Sequence, residues 1–260
     1  ESPDSMQRLV LMVVNGFLMS HYKKRIVITG GTGRFGDTFK KQQHKFKFKF
    51  FFPNKSQLNI LNYNSIRKFL NKIKPKYLIH LAGLSRPMSI HNKNIMESID
   101  KNIIGTANIT KACSEKKIKL IYVSTCYVYP GTKGNYSEDS PLLPINSYAW
   151  SKLGGESSVK LYKNSLILRT SVTERPFVHK KAFYDFKTNF IFHDELVSGI
   201  IKVLNYNGIL NIGGKSQSVY KFARKYNSKI KKVSAKKILG NKTKINVTMN
   251  INKFRKIIND

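Results

Sequence analysis

Arg25-Ile-Val-Ile-Thr29 is a short β-rich run, and it ends directly in a glycine-rich turn, Thr29-Gly30-Gly31-Thr32-Gly33-Arg34-Phe35-Gly36. A helical stretch from Phe35 to about Lys41 follows. Glycines at G-x-x-G-x-x-G spacing between a strand and a helix are what a dinucleotide site requires. Gly30 permits the tight turn, Gly33 keeps the backbone bare where a pyrophosphate must approach, and Gly36 lets the helix pack on the strand. The pyrophosphate then meets the free N–H groups at the helix N-terminus.

The rest of the chain continues the strand–helix alternation. Lys45-Phe-Lys-Phe-Lys-Phe50 alternates strictly and reads as a half-buried strand. Helical spacing is found over Ser65–Lys74, from about Ile95 to Lys116, and over Tyr148–Tyr162. Strands are expected at Tyr77–Leu81, Leu120–Ser124 and Leu166–Arg169. This order predicts an α/β fold, a Rossmann doubly wound parallel sheet. Beyond about Thr170 the pattern loosens, with a short strand at Phe190–Phe192, a helix capped by Asp194 and a strand at Gly208–Gly213. The expected organisation is an extension over residues 1–23, a nucleotide-binding domain over 24–170, and a small substrate-binding region over 171–260 partly interleaved with it. The apolar run Leu9–Val14 is broken by Asn15 and Gly16 and does not form a regular targeting signal.

Charge is the unusual bulk property: 47 Lys and Arg against 14 acids give +33. Of the 47, 38 are lysines spread along the chain, whereas base and phosphate readers lean on arginine. The excess therefore steers anionic ligands without marking a specific nucleic-acid binder. No stretch reaches the roughly 20 apolar residues of a membrane span. Cys113 and Cys126 make no disulfide framework, which fits a reducing, cytoplasmic setting. His193 and Asp194 read as helix-capping residues, and no metal ligand set is expected.

Tyr148 and Lys152 stand at i and i+4 on one helix face. A phenol with an ordinary pKa near 10 gains acid–base competence if a nearby ammonium lowers that value. Ser124-Thr125 ends the fourth strand, at the sheet edge where ligands of open α/β sheets collect. After the second strand no acid is available for a ribose; Asn54 and Lys55 occupy that region, and Arg34 lies in the turn. Arg34 and Lys55 tilt the cofactor expectation toward NADP, with NAD as the alternative.

From Lys24 to Gly214 the chain resembles the extended short-chain dehydrogenase/reductase superfamily. The resemblance rests on Thr29–Gly36, Ile79-His-Leu-Ala-Gly83, Asn102-Ile-Ile-Gly-Thr106, Val123-Ser-Thr-Cys-Tyr-Val-Tyr129, Glu138-Asp-Ser-Pro141 and Tyr148-x-x-x-Lys152. Ser124–Gly131, Ser151-Lys-Leu-Gly-Gly-Glu156 and Leu168-Arg-Thr-Ser171 are most similar to the dTDP-4-dehydrorhamnose reductase group and its sugar-nucleotide relatives. The resemblance implies a catalytic set of Thr125, Tyr148 and Lys152, with Tyr148 donating the proton in reduction of a 4-keto sugar nucleotide. It implies cofactor contacts at Gly30, Gly33, Arg34, Phe35, Gly36, Lys55, Leu81, Ala82, Gly83, Asn102 and Lys152, and substrate contacts at Ser85, Arg169, Arg175 and His179. A 4-epimerase or dehydratase of the same superfamily, and a non-catalytic nucleotide-binding subunit, are the alternative functions. The expected partners are the nucleotide sugar and, in a homodimer, a second copy of the chain, with no membrane. Cys126 stands where the reductases commonly carry Asp, and Tyr148-Ala-Trp replaces their usual Tyr-Gly.

Overall fold

The computed structural model describes residues 23–259. The extension expected over residues 1–23 lies outside the described residues, apart from Lys23. Six parallel strands form the central sheet: β1 (Arg25–Thr29), β2 (Lys49–Phe51), β3 (Tyr77–His80), β4 (Lys119–Val123), β5 (Ser165–Thr170) and β6 (Gly208–Ile212). Their spatial order is β6-β5-β4-β3-β1-β2. The order in which strands are added reverses between β1 and β3, whose parallel register pairs Ile28 with Ile79 and Thr29 with His80. This is the topological switch point, and the crevice outside the strand ends opens there.

Helices cover both sheet faces, and the strand sequences show why. Alternate residues serve different cores: Ile26, Ile28, Ile79, Ile121, Leu166 and Leu168 face one cluster, while Val27, Leu78, Leu120 and Ile167 face the other. Strands covered on both sides read as continuous apolar runs rather than alternations. Each such side chain contributes roughly 1.5–3 kcal/mol on burial. The helices include α1 (Arg34–Gln42), α2 (Tyr63–Ile73), α3 (Ile95–Ile99), α4 (Gly105–Glu115), α5 (Ser147–Lys160) and α6 (His193–Lys202). Asn62 caps α2 by accepting from the Ser65 N–H at 2.9 Å, and Asn146 caps α5 by accepting from the Ala149 N–H at 2.8 Å.

Three expectations are corrected. The run Lys45–Phe50 forms a strand only at its end, Lys49–Phe51, because only those residues pair with β1. Its alternation nevertheless holds: Phe46, Phe48 and Phe50 pack on the core while Lys45, Lys47 and Lys49 are exposed. The helix expected from Ile95 to Lys116 is broken by a π turn at Asp100–Ile104. Helix α6 starts at His193, where Glu195 accepts from the Phe192 N–H at 2.9 Å, so Glu195 rather than Asp194 supplies the end bond.

A third apolar cluster joins Val128, Tyr129 and Tyr136 to Phe177, Phe186, Phe222, Val247 and Met249. Residues on both sides of position 170 thus share one core, while β6, from the later half, completes the central sheet. No helix among the described residues is long and apolar enough to cross a membrane.

Candidate active site

A cleft of about 1860 Å³ runs along the C-terminal edge of the sheet, over the switch point. The glycine turn forms one wall. Gly30 adopts φ +72°, and a Cβ there would come within 2.6 Å of the Ala82 nitrogen. A Cβ at Gly36 would come within 2.4 Å of the Gly31 Cα, so only glycine lets α1 sit this close to the turn. At Gly33 a Cβ would meet only the Gly30 carbonyl, at 3.2 Å. The first N–H groups of α1 have no partner within the helix, and Gly33, Arg34 and Phe35 line the cleft. This bare, donor-rich cradle fits the diphosphate of a dinucleotide.

The opposite lip is the loop after β3, where Leu81, Ala82, Gly83 and Ser85 line the cleft. It is fixed from beneath. His80 is buried between Thr29 Oγ1 at 2.7 Å and Thr106 Oγ1 at 3.1 Å, and Thr29 Oγ1 accepts from the Ala82 N–H at 3.3 Å. Burial, with the Lys152 charge adding to it, lowers the His80 pKa to about 3 and keeps the ring neutral. Asn102 accepts from the Leu84 N–H at 2.7 Å and donates to the Leu84 carbonyl at 2.9 Å and to Ser151 Oγ at 2.8 Å. Ser151 Oγ in turn donates to the Tyr148 carbonyl at 2.7 Å. Asn102 was expected to touch the cofactor. It is instead buried behind the loop and does not line the cleft, because its amide is fully used in tying loop and helix together.

Thr125, Tyr148 and Lys152 all line this cleft. Thr125 lies just past β4 in extended backbone, with its Oγ1 accepting from the Tyr127 N–H at 3.2 Å. Tyr148 is in the first turn of α5 and Lys152 one turn later. The Lys152 ammonium stands 4.1 Å from the centre of the Tyr122 ring. Burial lowers its pKa to about 7, against the opposing pull of Glu156. The expectation that Lys152 depresses the Tyr148 pKa is not met. Burial, and then Cys126, push the phenol up, and the cation that pulls it down is Arg86. No hydrogen bond among the described residues joins the Tyr148 hydroxyl to Lys152. The ring packs at 5.1 Å from His91, itself buried and paired through Nδ1 with Ser98 Oγ at 2.7 Å.

Two of the expected substrate residues are elsewhere. Arg169 is 2% exposed, donates through Nε and Nη2 to Glu156, and donates through Nη1 to the Tyr129 hydroxyl at 3.0 Å and the Glu138 carbonyl at 3.1 Å. All three of its nitrogens are committed to the interior, so it is a structural joint rather than a substrate contact. Arg175 turns away from the cleft, pairs with Asp194 Oδ2 at 3.3 Å and lies 3.8 Å over the Phe192 ring. Ser85, His179 and Lys55 do line the cleft. Arg34 lines it too, but its Nε is paired with Glu174 Oε1 at 2.9 Å. Among the described residues no group of three or more His, Cys, Asp or Glu is placed to hold a metal ion.

The family described as RmlD substrate binding domain matches residues 24–182, more than half of the chain. The chain belongs to this family. Two kinds of protein are found among its curated relatives. Methionine adenosyltransferase 2 subunit beta of Pongo abelii is 30% identical over 143 residues, covering 52% of this chain and 42% of that protein. dTDP-4-dehydrorhamnose reductase of Aggregatibacter actinomycetemcomitans is 28% identical over 152 residues, covering 57% and 51%. The chain thus spans about half the length of the curated relatives it matches. The crystal structure of dTDP-4-dehydrorhamnose reductase from Bacillus anthracis in complex with NADP superposes with a TM-score of 0.81 at 24% identity, covering 90% of this chain and 92% of that one, and shows the shared fold.

Several cleft residues of this RmlD-type chain escaped sequence reasoning. Arg86 and Glu174 pair with each other at the cleft, and Lys181, Lys242 and Lys244 also line it. In a chain this rich in lysine, no local pattern separates these cations from the solvated ones. Arg86, next to Ser85 in a loop already expected at the site, was the one within reach of the argument.

Proposed function

We propose that the chain is an NADP-dependent reductase of a 4-keto sugar nucleotide, with NAD as the alternative cofactor. The observation that carries this reading is the convergence of Thr125, Tyr148 and Lys152 on the cleft that the Gly30–Gly36 turn opens onto. A bound reduced nicotinamide supplies the hydride to the substrate carbonyl carbon. Tyr148 donates its hydroxyl proton to the carbonyl oxygen, and the Thr125 hydroxyl donates a hydrogen bond to the same oxygen. Burial keeps Tyr148 protonated at neutral pH, the form a proton donor requires. Arg86 offsets the phenolate charge left behind, the phenolate regains its proton from solvent in the cleft, and Lys152 is suited to the nicotinamide ribose. Lys55 at the cleft rim is suited to a ribose 2′-phosphate, and Lys181, Lys242 and Lys244 with Ser85 and His179 suit the sugar diphosphate.

Tyr148→Phe tests the reading. Turnover in an NADPH-oxidation assay over a panel of 4-keto sugar nucleotides is expected to fall about 100-fold or more, with NADPH affinity nearly unchanged. Retained turnover would sink the assignment of Tyr148.

A second reading, a nucleotide-binding subunit of a larger assembly, is favoured by one observation: the first curated relatives are named as subunits of a methionine adenosyltransferase. Dinucleotide binding without NADPH oxidation on any member of the panel would support it over the reductase.

A further inference from the structure

Glu174 is the only carboxylate among the described residues that line the cleft, whose other charged groups are cations, Arg34, Lys55, Arg86, Lys152, Lys181 and Lys242 among them. Both of its oxygens are engaged. Oε1 takes Arg34 Nε at 2.9 Å, and Oε2 takes Arg86 Nη1 at 3.3 Å. The three residues come from three different connections: Arg34 opens α1 after β1, Arg86 lies in the loop after β3, and Glu174 follows β5 through the two-residue strand Val172–Thr173. Because β1 and β3 flank the switch point, the clasp crosses the crevice there. Phe35, the neighbour of Arg34, stacks at 5.0 Å on His193, which holds that side of the clasp against α6.

A carboxylate held between two guanidinium groups presents the charge sign and paired acceptor oxygens that a diphosphate presents to the same groups. The Glu174 side chain is 17% exposed, whereas Arg34 and Arg86 are 57% and 39% exposed and have room to turn. Leaving Glu174 in place beside a bound diphosphate would set like charges against each other in the crevice.

We propose that Arg34 and Arg86 are the side-chain clamp for the diphosphate of the dinucleotide, and that Glu174 is a resident competitor which the diphosphate displaces. This rests on the dinucleotide-binding reading above and moves Arg34 from the 2′-phosphate to the diphosphate, leaving Lys55 with the former. The clasp is then a threshold: only a ligand carrying a diphosphate opens it.

Calorimetric titration of the full chain with NADH, NADPH and ADP-ribose tests this. Glu174→Gln is expected to tighten all three by about fivefold or more, and Arg86→Gln to weaken all three by about fivefold. Equal effects on NADH and NADPH are expected, since both carry the diphosphate. Unchanged or weaker binding by Glu174→Gln overturns the competitor role. An Arg86→Gln effect confined to NADPH overturns the diphosphate clamp. Arg86→Gln removes only one arm of the clasp, so it carries the test if Glu174→Gln does not fold. Wild-type protein that binds none of the three ligands overturns the dinucleotide reading itself, and the inference with it.

Discussion

Two of the arginine–glutamate constellations among the described residues, one around Arg169 and one around Glu174, differ in almost everything but chemistry. Arg169 and Glu156 are buried, at 2% and 4% side-chain exposure, with Ser124 Oγ donating to Glu156 Oε1 at 2.5 Å. The network continues through Tyr129, whose hydroxyl donates to Asn211 Oδ1 at 2.8 Å, and Asn211 donates to the Tyr136 and Asn250 carbonyls at 3.0 and 3.2 Å. It therefore pins the ends of β4, β5 and β6 to the later part of the chain. Arg34, Glu174 and Arg86 sit at the cleft rim, where water screens them. A buried pair resists the loss of either partner because the survivor is left as an uncompensated charge. A rim pair opens at little cost and leaves its members free to meet a ligand. Burial, not residue type, divides the structural arginine from those proposed to bind.

That contrast is most exposed to Arg169→Met. Removing one partner of the buried pair is expected to lower unfolding free energy by about 3–5 kcal/mol. Chemical denaturation measures this, and a loss under about 1 kcal/mol would put both constellations in one class. Next comes Lys152, one helical turn before Glu156. Its folded pKa of about 7 lies below its ordinary 10.5, so between those values the unfolded chain holds more protons than the folded one. Stability contributed by this group therefore rises with pH through that window and is lowest below it. Comparing unfolding midpoints at the two ends of the window, wild type is expected to gain relative to Lys152→Met; parallel behaviour of the two proteins would show that the buried ammonium carries no such penalty. The smallest effect belongs to the rim: Arg86→Gln is expected to change stability by under about 1 kcal/mol, and a larger loss would make the clasp a structural joint like its buried counterpart.

The fold was legible in the sequence because strand burial on both faces leaves apolar runs such as Ile26–Ile28 and Leu166–Leu168, and because glycine is required at Gly36 by contacts within the turn itself. The lining positions of Thr125, Tyr148 and Lys152 were legible for a related reason: strand ends and the first turn of the next helix face one edge. The fate of Arg169 was not. Its position near the C-terminal end of β5 says which edge it occupies, but not that Glu156 on α5 waits in the interior to receive it. Asn102 was misread in the same way, since the loop it braces is distant in sequence. The π turn at Asp100–Ile104 contains neither proline nor glycine, and the glycine that follows it, Gly105, opens α4 rather than ending a helix.

The lysine–phenylalanine alternation before Phe52 has a consequence beyond the site. β2 is the outermost strand of the sheet, and among the described residues it pairs only with β1, so none of them adds a strand to its other edge. An open edge is a template on which a second molecule can add a strand, and ammonium groups along it are a recognised deterrent. With Lys45, Lys47 and Lys49 outward and a chain charge of +33, two such edges repel before they touch. The composition that says little about the reaction is thus a colloidal property. Its reach is set by salt, shrinking from about 10 Å at 0.1 M to about 3 Å at 1 M.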